Sequence, residues 1–151
     1  MATVRKFDET MIESCLRTVD LKYLKDSDGD YVVQFGYDDD TKCELSLFLI
    51  RSGEKKEVFQ ILVASDAEIP ASELGAALFF CNSWNKDKRW PKTYVNFKEG
   101  ESHGRIFCEE QIDLEKGVHQ ELLDDFAITC FSAANAFWKQ VGEEKPFSFR
   151  R

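Results

Sequence analysis

Apolar residues recur at two periods along the 151-residue chain, and the switches between them mark out the elements. Met11, Ile12, Cys15, Leu16 and Val19 follow helical spacing, with Asp8 or Thr10 placed to cap a free N–H of the first turn. After the turn Asp26-Ser27-Asp28-Gly29-Asp30 the period falls to two. Tyr31, Val33 and Phe35 alternate with Val32 and Gln34. Beyond Asp38-Asp39-Asp40, Cys43, Leu45, Leu47 and Leu49 alternate with Glu44, Ser46, Phe48 and Ile50. Ser52-Gly53-Glu54 turns the chain once more before Val58–Ala64. Short turns between successive strands favour antiparallel pairing, so this third of the chain predicts a three-stranded meander.

Pro70 opens a second predicted helix, with Leu74, Ala77, Leu78 and Cys81 on one face and Phe79, Phe80 and Trp84 widening it. Pro91 prevents its continuation. Thr93–Phe97 and Arg105–Leu114 predict a second hairpin. The last helix is expected from about Val118 to about Val141, with one stripe of Leu122, Phe126, Ala133 and Phe137 beside another of Leu123, Ala127, Phe131, Ala134 and Trp138. The order α-β-β-β-α-β-β-α predicts an α+β fold, an antiparallel five-stranded sheet packed with helices. No repeat or linker divides residues 1–151, so one domain is expected, with 142–151 an irregular tail from which Phe147 and Phe149 can dock.

The pattern holds more apolar surface than one helix–sheet contact uses. Phe48, Ile50 and Phe107 fall on the side of their strands opposite Leu47, Leu49, Ile106 and Cys108, and two helices have broad apolar faces. A subunit interface would account for the surplus, and so would helices covering both faces of the sheet.

Composition narrows the partners. Twenty Lys and Arg against 28 Asp and Glu give a net charge of −8, which disfavours nucleic acid and anionic membrane surfaces. The densest basic cluster, Lys86, Lys88, Arg89 and Lys92, is interrupted by Asp87, Trp90 and Pro91. No apolar run nears the roughly 20 residues of a membrane span, and no apolar stretch follows the charged residues up to Phe7, so a cytoplasmic protein is expected. The five cysteines are odd in number and widely spaced, at apolar positions of predicted elements; they read as small buried hydrophobes.

Chemistry-bearing motifs are sparse. The acidic turn at Asp26–Asp30 resembles a calcium loop, but counting from Asp26 the sixth position is Tyr31 and the twelfth Tyr37, where such a loop needs Gly and a bidentate Glu. A solvated turn is expected, and no metal. His103 and His119 lack paired ligand spacing. Cys81 would need an adjacent base or an electropositive setting to act as a nucleophile, and only Lys86 and Lys88 lie nearby in sequence. No phosphate loop or nucleophile elbow occurs, and no cofactor is expected. Asn82 and Asn85 read as amides satisfying backbone groups at a helix end. Trp84 and Trp90 either lock the corner between the second helix and the next strand or face a partner. The candidate interaction surface is therefore Phe79, Phe80, Trp84 and Trp90.

The run from Ile69-Pro70 through Leu78, Cys81-Asn82, Trp84-Asn85 and Trp90-Pro91-Lys92, followed by the hairpin and the helix bearing Phe137-Trp138, resembles the YbjN-domain family of bacterial proteins. The resemblance spans nearly the whole chain and centres on a helix ending in an Asn-x-Trp-Asn signature. It implies the fold of class I type III secretion chaperones, which are small, acidic, homodimeric and bind segments of other proteins; some family members are labelled sensory-transduction regulators. It carries no catalytic residues. The expectation is a non-catalytic, chaperone-like or regulatory homodimer that binds a further protein. The alternative is an enzyme or small-molecule binder whose site is assembled from residues distant in sequence.

Overall fold

The structure is a computed structural model that describes residues 3–151. Helix α1 spans Glu9–Thr18 and begins where Asp8 Oδ1 accepts from the Met11 N–H at 3.2 Å, as the capping reading requires. The meander follows as β2 (Tyr31–Asp38), β3 (Cys43–Ser52) and β4 (Val58–Ser65), with a two-residue strand β1 (Leu24–Lys25) added at its outer edge. Ile69 and Pro70 form a second short strand, β5, rather than the first turn of the helix. A 3-10 turn at Ala71–Glu73 then leads into α2 (Leu74–Asp87). The second hairpin is β6 (Lys92–Asn96) and β7 (His103–Asp113), and α3 runs from Gln120 to Glu144.

The sheet is antiparallel and has seven strands; the two extra to the five expected are the two-residue β1 and β5. β7 carries β4 on one side and β6 on the other, because Phe107 and Cys108 pair with Ala64 and Val63 and also with Tyr94 and Thr93. The meander and the second hairpin thus make one continuous surface.

All three helices pack on one face of it. Tyr31, Val33, Leu45, Leu47, Leu49, Ile61, Val63, Ile106 and Cys108 share that face and lie in the buried core. They are joined there by Met11, Ile12, Cys15 and Leu16 of α1, Ala77, Phe80, Cys81 and Trp84 of α2, and Leu123, Ala127, Cys130, Ala134, Phe137, Trp138 and Val141 of α3. The possibility that helices cover both faces is therefore set aside. Aromatic rings bind the helical layer together: Phe137 meets Trp84 and Trp138 edge-on at 5.3 and 5.5 Å, and Phe131 stacks on Phe35 at 4.7 Å.

The expected irregular tail of 142–151 is shorter than that: α3 continues through Glu144, because nothing before Pro146 stops it, and only 145–151 are irregular, and they dock. Phe147 is buried against Phe80, and Arg150 forms a two-way backbone bridge with Glu68 at 2.6 and 2.9 Å. Gly142 faces the carbonyl of Asp40 so closely that a Cβ would collide with that oxygen, so only glycine lets the end of α3 pass the β2–β3 turn.

Candidate functional site

The helical face of α2 that enters the core reads Ala77, Phe80, Cys81, Trp84, the i, i+3, i+4, i+7 spacing of one face. Two of the four residues proposed as an interaction surface, Phe80 and Trp84, therefore belong to the packing. Phe80 is only 8% exposed and contacts Phe137 and Phe147. Leu78, expected on the core face, lies outside it. The outward face is Gly75, Leu78, Phe79 and Asn82, with Leu78 49% and Phe79 75% exposed. A phenylalanine so far out of the core is unusual on a helix that already has a buried face.

Trp90 is the other proposed residue that stays at the surface, 44% exposed. With Leu122, Phe126, Thr129 and Cys130 it walls a groove of about 210 Å3 on one flank of α3. A groove of similar volume on the other flank is lined by Leu16, Val19, Leu21, Ala127, Ile128 and Phe131. Phe79 does not line the Trp90 groove.

Asn85 has a role that sequence reasoning assigned to the wrong partner. Its side chain serves the edge of β6 instead of the helix end. Asn85 Nδ2 donates to the Thr93 carbonyl at 2.9 Å and the Thr93 N–H donates to Asn85 Oδ1 at 2.8 Å, so one amide does what a neighbouring strand would do. The Thr93 hydroxyl donates to the Cys81 carbonyl at 3.2 Å, completing the fastening of α2 to β6. An exposed sheet edge is thereby closed near its start. The Asn-x-Trp-Asn signature is in this respect structural: Trp84 fills the core and Asn85 holds the strand.

The face of the sheet opposite the helices carries the apolar surplus. Register aligns Val32, Phe48, Leu62, Glu109 and Lys92 in one row and Gln34, Ser46, Ala64, Phe107 and Tyr94 in the next, with Ile50 beside Gln60 and Gln111. Phe48, Ile50, Leu62 and Phe107 are half-buried by their strand neighbours, and none of them packs against the core. Among the described residues no helix lies over them. Glu109 sits within this apolar field at 6% exposure, and its carboxylate is fully engaged: Tyr94 Oη at 2.8 Å, Gln111 Nε2 at 2.6 Å and Lys92 Nζ at 3.1 Å. Burial pushes its pKa up, but the hydrogen bonds from Gln111, Tyr94 and Lys92 outweigh that and hold the carboxyl below the usual range. Burial first, and then the same contact with Glu109, push the Tyr94 phenol upward. No sequence pattern announces that Lys92 and Tyr94 of β6 meet Glu109 of β7, because that contact is made only across the strand register.

The remaining candidates behave as structural groups. All five cysteines are buried and unpaired. Burial raises the thiols of Cys15, Cys43 and Cys130 to about 12 and raises those of Cys81 and Cys108 as well, the opposite of an activated nucleophile. His119 caps α3, its Nδ1 accepting from the Leu122 N–H at 3.1 Å. Asp26, Asp28 and Asp30 do bring their carboxylates together, but Asp26 Oδ1 already accepts from the backbone N–H groups of Asp28 and Asp30 at 2.9 and 3.0 Å. These bonds form the tight turn. No helix among the described residues is long and apolar enough to cross a membrane.

Comparisons with known proteins agree with this geometry. A solved structure described as "Crystal structure of YbjN, a putative transcription regulator from E. coli" superposes with a TM-score of 0.72 at 8% identity, covering 98% of this chain and 100% of that one. At that identity the likeness is one of fold. No curated protein matches the chain. The sequence family YbjN, described as "Putative bacterial sensory transduction regulator", matches residues 8–143. With the helix-bearing signature, the one-sided sheet and this match over most of its length, the chain belongs to the YbjN family.

Proposed function

We propose that this protein is a non-catalytic cytoplasmic regulator that works as a homodimer and binds a further protein, in a chaperone-like manner. The observation that carries the reading is the outward face of α2: Phe79 and Leu78 stand in water on a helix whose opposite face is locked into the core. A twofold contact between two copies of this face would shield both rings, and Gly75, one turn earlier with open space around it, lets a second helix approach closely. The open sheet face, with Phe48, Ile50, Leu62 and Phe107, offers a second apolar surface for the other protein. The family description supports a regulatory role, and burial of the Cys81 thiol, which raises it, speaks against that cysteine as a nucleophile.

Light scattering after size exclusion tests the reading. A dimer mass that persists at about 10 micromolar is expected, as for an interface of ordinary size. Phe79→Glu should yield a folded monomer, whereas Phe80→Glu should fail to fold because it places a charge in the core. A monomer mass for the unmodified chain, or an unchanged dimer in Phe79→Glu, would refute the assignment of α2.

A further inference from the structure

At one end of the open sheet face, β7 begins with Ser102 before it and His103, Gly104 and Arg105 within it. Here the hairpin connection, the sheet and the C-terminal tail meet around a cleft of about 600 Å3, larger than either groove beside α3. Three cations enter it from three segments: Lys98 from the connection, Arg105 from β7 and Arg150 from the tail. His103, Ser102 and Asn96 add neutral donors. The carboxylates at the cleft are Glu68 and Glu101. Glu68 is shared, pairing with Arg150 Nε at 3.0 Å and Arg105 at 3.6 Å.

The site is built rather than incidental. Arg150 is fixed by the two backbone bonds between its own residue and Glu68, and Ala71 N–H donates to the Ser102 carbonyl at 2.9 Å, which ties the connection to the 3-10 turn. A Cβ on Gly104 would lie 2.6 Å from the Phe97 ring and 3.0 Å from the Asn96 carbonyl, so glycine is what allows the connection to fold this tightly. His103 Nδ1 lies 2.7 Å from Ser102 Oγ and 3.4 Å from Arg150 Nη2. A guanidinium can only donate, so His103 faces Arg150 through its ring nitrogen as an acceptor. Each guanidinium has five N–H groups, and one shared carboxylate leaves most of them unused. Three cations against two carboxylates, in a chain whose net charge is −8, make this a local reversal of sign.

We propose that the cleft is an effector site for a small organic anion bearing carboxylate or phosphate oxygens, held between Arg105 of the sheet and Arg150 of the tail. Such a ligand would bridge the two guanidiniums beyond Glu68 and clamp the tail to β7. It would give a regulator of this kind a chemical signal to read. The proposal does not depend on the dimer, since Phe79 does not line the cleft.

The test is thermal unfolding with citrate, with ribose 5-phosphate and with NaCl at matched ionic strength. At about 10 mM, either citrate or ribose 5-phosphate should raise Tm by about 3 °C beyond NaCl, as for a ligand binding the native state near 1 mM. The more effective of the two identifies the carboxylate or the phosphate class. The increment should vanish in Arg105→Gln and in Arg150→Gln, both exposed positions, and persist in Lys116→Gln, which does not line the cleft. Amide resonances of Ser102, Gly104 and Arg105 should shift with the same concentration dependence. Equal Tm with anion and NaCl, or an increment that survives the Arg105→Gln/Arg150→Gln double variant, would overturn the proposal.

Discussion

The two faces of this sheet are made from the same strands and nearly the same residue types, yet they have different fates. On the helix-covered face Leu47, Leu49, Ile61, Val63 and Ile106 are in the core. One residue along each strand, Phe48, Ile50, Leu62 and Phe107 form a field that no helix covers among the described residues. The same division occurs within α2, where the adjacent rings of Phe79 and Phe80 are 75% and 8% exposed. Hydrophobicity alone does not say which apolar residue is structural. The covered face holds the fold together, and the open face is available to something else.

The largest expected effect follows from removing a ring on the covered side. Phe137→Ala should cost about 3–5 kcal/mol, since Phe137 is fully buried among Trp84, Phe80 and Trp138. Phe107→Ser on the open face should cost about 1 kcal/mol or less, because water already reaches that ring. Urea unfolding at constant m-value compares the two. Equal losses would break the distinction between the faces.

Titration separates the faces chemically. All five thiols belong to the covered side, and the single buried carboxylate belongs to the open one. Folding raises the thiols, so their contribution is complete below the unfolded thiol pKa near 8.5 and is lost as pH climbs toward the folded values of about 12. At about pH 9.5 the loss should be on the order of 1 kcal/mol for each such thiol, and native labelling by a thiol reagent should be slow until the protein unfolds. Glu109 runs the other way. Its folded pKa is depressed, so its contribution is present above the unfolded value near 4.3 and disappears as pH falls through the folded one. Urea midpoints from pH 3 to 10 should therefore decline at both ends. Glu109→Gln should flatten only the acid limb; a flattened alkaline limb in that variant would contradict the assignment.

The seam between α2 and the sheet edge gives a smaller effect. Asn85→Ala leaves the N–H and C=O of Thr93 without their partners and should cost about 2 kcal/mol. It should also speed hydrogen exchange at Thr93 selectively. Loss of stability without faster exchange there would mean that the amide acts on the helix instead.

Much of this architecture is legible in the chain. Period-two runs bounded by acidic or glycine-bearing turns place β2, β3 and β4 to within a few residues, and Asp8 caps α1 as its position suggests. The short strands β1 and β5 are invisible because two residues cannot establish a period. Pro70 places the start of α2 too early in the sequence pattern, because proline suits both a helix start and the end of a short strand. Leu78 was assigned to the core because Leu74, Ala77, Leu78 and Cys81 fit helical spacing as well as Ala77, Phe80, Cys81 and Trp84 do. On a helix apolar nearly all round, periodicity does not fix the rotation; packing against Phe137 and β6 does.

By itself the sequence determined the order of the longer elements, the antiparallel meander, the burial of the cysteines and the presence of more apolar surface than one contact uses. Those properties depend on near neighbours along the chain, through alternation, caps and turns. Only the tertiary structure decided that all three helices take the same side, that Phe79 rather than Phe80 faces water, that Asn85 closes the edge of β6, and that Lys98, Arg105 and Arg150 surround one cleft. Each of these depends on residues brought together across strand register or from the far end of the chain, and no local pattern encodes such a meeting.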